Sequence, residues 1–255
     1  NIADGDITVK GASDESGNYN NVKQGEKDFE KDEGETVITG ESDKSTVTID
    51  TSKGNVDVTF DDLKIDVSGK TEGDGSGDGS TRESNAAVTV KGDHDATIEL
   101  DGKNELKSGS KNAGLEKNEH ESKGTLTIKD DKGKDGSLTA EGGDDGAGIG
   151  GGIGSTGSSI TIRGGAVEAV GGSNAAGIGD GAGPWSEPDP DTPPSNPSNP
   201  NNIIICGDAE VTAKAGASTD GKTAAIGGGM VGEISNDALS DDDHKVTGGS
   251  LTRYD

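Results

Sequence analysis

The sequence predicts an all-β fold: a single-stranded parallel β-helix (β-solenoid) of about seven or eight coils behind a charged N-terminal cap. Three observations predict it. The composition is too poor in large apolar residues for an ordinary core, a short motif recurs about every 29 residues, and period-two alternation fills the stretches between its copies.

The composition poses the problem. Leu, Ile, Val and Phe together number 41 of 255 residues, against 45 Gly and a net charge of −26. Low apolar content with high net charge is the signature of disorder, and a two-layer globule is hard to build from it. The chain is therefore either disordered or folded around a thin core.

Repeats decide between the two. Ala147-Gly-Ile-Gly-Gly-Gly152 returns as Ala176-Gly-Ile-Gly-Asp-Gly181 and as Ala224-Ala-Ile-Gly-Gly-Gly229, with weaker relatives at Asn112-Ala-Gly-Leu115 and Asn85-Ala-Ala-Val88. The aliphatic markers Val88, Leu115, Ile149, Ile178 and Ile226 lie 27, 34, 29 and 48 residues apart. All seven prolines fall between Pro184 and Pro200, and removing Gly183 to Asn201, 19 residues, reduces 48 to 29. The Pro-rich stretch 183–202 thus reads as one loop inserted into a regular array.

Alternation places strands near residues 46–50, 56–60, 63–67, 96–100, 125–128, 160–162, 166–170, 203–206 and 209–213. No stretch of a dozen residues combines helical periodicity with caps. In a solenoid, each coil stacks its aliphatic residues on those of the coil below. A narrow column of Val, Ile, Leu and Ala then suffices. Gly and Asn fit the corners, where φ turns positive or backbones approach closely. At about 4.8 Å per coil, seven or eight coils span about 35–40 Å. Residues 1–35, irregular and charged, read as a cap over an exposed strand edge, and 36–255 as the repeat domain. The chain ends soon after a strand, at Arg253-Tyr-Asp255, so the last coil is expected to stack on further domains of the same parent protein.

Several classes fall away. No apolar run is long enough to span a membrane. No signal peptide is visible, though a trimmed mature chain would look the same. The lone Cys206 excludes an internal disulfide and a Cys-based zinc site. A charge of −26 argues against nucleic acid and anionic membrane surfaces.

The order of segments resembles a known family. Thr36-Val-Ile-Thr-Gly40, Val56-Asp-Val-Thr-Phe-Asp-Asp-Leu-Lys-Ile-Asp-Val67, Gly102-Lys-Asn-Glu-Leu-Lys-Ser-Gly109, Gly124-Thr-Leu-Thr-Ile128, Ser137-Leu-Thr-Ala-Glu-Gly-Gly143, the GAGIGGG run from Gly146 and Ile160-Thr-Ile-Arg-Gly-Gly-Ala-Val167 follow one another. This is similar to the repeat region of secreted or surface-attached β-helix proteins of Gram-positive anaerobes, described as adhesins or carbohydrate-binding-domain proteins. The resemblance covers roughly residues 36–252. It implies a right-handed parallel β-helix, an extracellular or cell-surface location and no assigned chemistry, with a polysaccharide or host glycan as partner.

Chemistry is sparse. Polysaccharide lyases and hydrolases also use parallel β-helices, and hydrolysis needs carboxylates about 5–9.5 Å apart. Asp61-Asp62, Asp144-Asp145 and Asp241-Asp242-Asp243 are candidate sets, but adjacent acids arise by chance among 49. Arg82, Arg163 and Arg253 are the only arginines. His94, His120 and His244 form no recognisable set with Ser and Asp. The expectation is a non-enzyme, with a polysaccharide-degrading enzyme and a purely structural spacer as the alternatives. Asp74, Ser76 and Asp78, followed by Gly79, match the first half of a calcium loop, but Asn85 stands where a bidentate Glu closes it. An acidic loop without metal is the competing and stronger reading there. Trp185, the only Trp, is the candidate for stacking a sugar ring, and its alternative is packing back on the solenoid wall. The 184–202 loop is expected to carry any specific contact surface, since prolines fix φ in advance; a neutral insertion covering the wall is the competing and stronger reading of the loop.

Overall fold

The structure, a computed structural model, describes residues 1–15, 17–69, 85–183, 203–218, 223–229 and 245–254. Short runs of alternating Val, Ile and Thr, broken by Gly and Asp, fix its architecture. Among the described residues the only helical element is the 3-10 turn Ile2–Asp4, and all else regular is strand.

Parallel pairing sorts the strands into three ladders. The first stacks β1 (Ile7–Asp14), β5 (Val47–Asp50), β7 (Val88–Lys91), β10 (Leu115–Glu116), β13 (Ile149–Gly150), β16 (Ile178–Gly179) and β18 (Ile226–Gly227). The second stacks β8 (Ala96–Asp101), β11 (Leu126–Lys129) and β14 (Ile160–Ile162), the third β9 (Lys103–Lys107), β12 (Ser137–Glu141) and β15 (Ala166–Val170). Four longer strands, β4 (Val37–Ser42), β6 (Val56–Asp66), β17 (Ile203–Lys214) and β19 (Lys245–Tyr254), give their first halves to the second ladder and their second halves to the third. Because β6 and β17 belong to both, the pairings close a ring of eight parallel strands: β6, β8, β11, β14, β17, β15, β12 and β9. After each step of the first ladder from β5 onward, the chain visits the second and third before returning.

Register follows the sequence markers. Ile7, Val47, Val88, Leu115, Ile149, Ile178 and Ile226 stand one above another in the first ladder. Ile98, Ile128, Ile162 and Ile205 do so in the second, and Leu106, Ala140, Ala169 and Ala213 in the third. All of these are buried and form one cluster with Phe60. Their outward neighbours are polar: Thr8, Thr48 and Thr89 stack in one column, and Thr97, Thr127 and Thr161 in another. Burial of an aliphatic side chain contributes about 1.5–3 kcal/mol, so a thin column repeated step by step stabilises a chain with few large residues.

The corner between the second and third ladders needs a left-handed residue. Gly40 (φ 95°), Asp62 (φ 47°), Gly102 (φ 59°), Gly165 (φ 82°), Gly207 (φ 64°) and Gly249 (φ 67°) supply it at every such corner but that from β11 to β12, where the longer 130–136 loop carries Lys134 (φ 63°). Asp62 tolerates the conformation because its Oδ1 accepts the Lys103 N–H at 2.9 Å. The small Ala-Gly-Ile-Gly wall permits close approach elsewhere. A Cβ on Gly148 would lie 2.5 Å from the Val170 nitrogen, and one on Gly177 2.7 Å from the Ala225 oxygen.

The N-terminal stretch departs from expectation. It is not irregular: Ile7–Lys10 is a parallel step of the first ladder, and β2 (Gly17–Gln24) and β3 (Glu30–Asp32) continue from it antiparallel. The 56–60 and 63–67 segments, like 203–206 and 209–213, are single strands bent at a corner. Among the described residues no helix is long and apolar enough to cross a membrane.

Candidate functional site

A concavity lies where the repeat pattern breaks. β2 carries Asn18, Tyr19 and Asn20 past the outer face of the second ladder, beside Glu35 and Thr36 ahead of β4 and Asn55 to Thr59 at the start of β6. With Lys132, they enclose a groove of about 220 Å³. A second cavity of about 190 Å³ adjoins it, lined by Asp14, Gly17, Lys31, Asp32 and Glu33, and Asn18, Tyr19 and Gly34 line both.

Local hydrogen bonds hold these walls. The Asn20 amide donates to Thr36 Oγ1 at 2.8 Å and to the Asp57 carbonyl at 2.7 Å, tying the antiparallel strand to the ladder. Thr36 Oγ1 donates to Asp32 Oδ2 at 2.7 Å. Lys31 Nζ sits 4.4 Å from the Tyr19 ring centroid and 3.2 Å from Asp14 Oδ2. Lys132 arrives on the 130–136 loop. Buried Glu99 accepts the Asp131 and Lys132 N–H groups at 2.7 and 2.8 Å, and Asp130 accepts those of Lys134 and Gly136. Lys132 pairs with Glu35, which also accepts from Thr59 Oγ1. The Lys132 hydrogen bond, then that of Thr59, holds the Glu35 carboxyl below the usual range, so it is ionised at neutral pH. Asp57 differs: its exposed carboxylate has no cation or donor partner among the described residues.

A second polar group lies buried beside the first ladder. Lys117 is fully buried, and its Nζ donates to the carbonyls of Ser122 (3.1 Å) and Ser158 (2.9 Å). Two steps along the ladder, Asp180 Oδ1 accepts the Gly157 N–H at 3.2 Å, while Oδ2 has no partner. The two side chains grip the same 155–158 loop from either side. Glu116 accepts from Ala113 N and Asn118 Nδ2, both at 3.1 Å. Burial raises the carboxyls of Glu116 to about 7 and Asp180 to about 8, and lowers the Lys117 ammonium to about 8.

Those residues singled out from sequence that are described do not line the groove. Trp185 with its 184–202 loop, the calcium candidates Asp74, Ser76 and Asp78, and Arg82, Asp241–Asp243 and His244 lie outside the described residues. Asp144 accepts from Ser173 Oγ and Asp145 from Asn174 Nδ2, both at 3.1 Å, which links the pair to the corresponding turn of the next step. Arg163 Nη2 pairs with Asp131 at 2.5 Å, and His94 Nδ1 meets the Thr51 carbonyl at 2.8 Å. Cys206 is a free thiol. Among the described residues, no group of three or more His, Cys, Asp or Glu is placed to hold a metal.

Fold and groove together define an all-β protein of parallel ladders with a polar cleft beneath an antiparallel N-terminal strand. Comparison with protein-family models, curated proteins and solved structures finds no match to this chain.

Proposed function

We propose that this chain is a binding or adhesion module of a bacterial cell surface that recognises carbohydrate, and that its ladders wind as one right-handed β-helix. The observation that carries the reading is the Tyr19 groove. It combines the half-buried Tyr19 ring with the amide side chains of Asn18 and Asn55 and ionised Glu35. Sugar recognition needs this mixture of a flat apolar face and fixed donors and acceptors for hydroxyls. The cell-surface location is part of the proposal and rests on the sequence-based expectation for residues 36–252 alone. Glycoside hydrolysis is less well supported, because it needs one carboxyl held protonated, and Lys132 and Thr59 favour the ionised form of Glu35.

A glycan array probed with wild type, Y19A and W185A, with and without calcium, tests the reading. Wild type is expected to retain a defined glycan set, and Y19A to lose it. The W185A arm separates any contribution of the 184–202 loop, and the calcium arm any contribution of Asp74, Ser76 and Asp78. An empty array, or Y19A binding unchanged, would overturn the groove as the site. A crystal structure addresses the winding: right-handed crossovers between successive ladders are expected, and a left-handed crossover counts against it.

A further inference from the structure

We propose that the Tyr19 groove selects sugars bearing a free, protonated amine, the 2-amino-2-deoxyhexose class, over N-acetylated and acidic sugars, with Asp57 receiving the ammonium. The proposal rests on the groove being a sugar site. Five acids, Asp14, Asp32, Glu33, Glu35 and Asp57, line the two cavities against two lysines, Lys31 and Lys132. Four of the five have assigned work. Asp14 and Glu33 face Lys31 at 3.2 and 3.8 Å, Asp32 accepts from Gly34 N and Thr36 Oγ1, and Glu35 holds Lys132.

Among the five, the Asp57 carboxylate alone has no partner among the described residues. It occupies an outward column that continues with Thr97, Thr127, Thr161 and Ile204. A carboxylate therefore stands where the next four steps carry uncharged side chains, and it does so against the groove. A charge-assisted hydrogen bond from a ligand ammonium satisfies it, whereas an N-acetyl group removes the charge and a uronate repels it. A bare divalent ion is a poor occupant, since among the described residues no group of three or more His, Cys, Asp or Glu is placed to hold one. A lysine side chain of a protein partner carries the same ammonium. Besides Tyr19, however, the groove offers only Val58 as apolar surface, too little for a protein hot spot.

The test titrates wild type at pH 6 with a tetramer of 2-amino-2-deoxyglucose, its fully N-acetylated counterpart and a galacturonate tetramer, followed by calorimetry. The free amine is expected to bind roughly tenfold tighter than the N-acetyl form or more, and the uronate not at all. D57N should bring amine and N-acetyl forms to within about twofold of each other, while Y19A weakens both. E210Q, on exposed β17 far along the array, controls for general attraction to a chain of −26. If E210Q weakens amine binding as much as D57N, the proposal is wrong. If the N-acetyl form binds as tightly as the amine and Y19A abolishes both, the sugar site stands and the amine preference falls. If no tetramer binds, the sugar reading itself fails.

Discussion

Replacing Asp180 with Asn should stabilise this protein at neutral pH. The folded-state carboxyl is raised to about 8 from an ordinary 3.8, with burial as the chief cause. A raised carboxyl contributes stability that is complete below the unfolded value and is lost as pH rises toward the folded one. Between 3.8 and 7 the loss covers about three units, and at about 1.4 kcal/mol per unit it reaches about 4 kcal/mol. Asn keeps the acceptor that holds the Gly157 N–H and carries no charge. Its amide nitrogen takes the position of Oδ2, which is unpartnered in the wild type too, so the orphan-group cost is nearly common to both. Allowing for relaxation, a gain of about 2 kcal/mol at pH 7 is expected. The measurement is the urea midpoint of wild type and D180N at pH 5, 6, 7 and 8. Wild type should weaken steadily across this window, with Glu116 adding to the slope up to about pH 7, and D180N should weaken less. The opposite result has a clear meaning. If D180N is destabilised by about 3 kcal/mol at pH 7, Asp180 is ionised in the fold and paired, with Lys117 as the nearest buried cation along the ladder.

Other expectations test the packing. Asn104 stands in a column of aliphatics, accepting from Leu63 N at 2.9 Å and donating to Asp101 O and Ser137 O at 3.1 and 3.0 Å. N104A should cost about 2–4 kcal/mol in a denaturant titration, since three backbone groups lose their partner, and a loss under 1 kcal/mol would show that water replaces it. G177A drives a Cβ against the Ala225 oxygen and the Lys214 nitrogen, both 2.7 Å away. About 3 kcal/mol of destabilisation is expected from this overpacking, read as a lowered melting temperature; an unchanged one would mean the wall yields. For Lys117 the pH sign is reversed: its lowered ammonium contributes stability above 10.5 that is lost as pH falls toward about 8. K117M should therefore flatten the stability profile between pH 10 and 8, and an unaltered slope there would place that titration elsewhere.

The ladders were legible because each step repeats one physical demand. The markers Val88, Leu115, Ile149, Ile178 and Ile226 meet in register, since every step must put one aliphatic residue over the last. The corner glycines were legible for the same reason. The antiparallel β2 was not: Gly17-Asn-Tyr-Asn-Asn-Val-Lys-Gln24 has only Tyr19 and Val22 as apolar positions and no alternation, because none of its residues is fully buried. The groove was hidden by sequence distance, with Tyr19, Glu35, Asp57 and Lys132 brought together only by the fold. One signal did exist for it, a tyrosine among asparagines in a chain with five aromatics. Asp180 also left a trace, standing where Gly151 and Gly228 occupy the same place in the other copies of the motif.

A groove at the N-terminal end follows from how the ladders pack. Each step presents Thr, Ala, Asp and Gly outward at a spacing of about 4.8 Å, too close for a cavity to open between neighbours. Concavity needs an element that leaves the parallel path, and β2 is such an element among the described residues: it runs antiparallel off β1 and is bridged back to β6 by Asn20. The same departure frees side chains from stacking, so Asn18 and Tyr19 meet no identical neighbour above or below. Asn20 therefore positions the binding wall through the two hydrogen bonds that hold it against the ladder, and its effect on a ligand is indirect. N20A should leave the ladders folded, because their core lies elsewhere, and weaken glycan retention as strongly as Y19A. Circular dichroism and the array read these two effects separately. Retention surviving in N20A would show that β2 holds its place without that bridge.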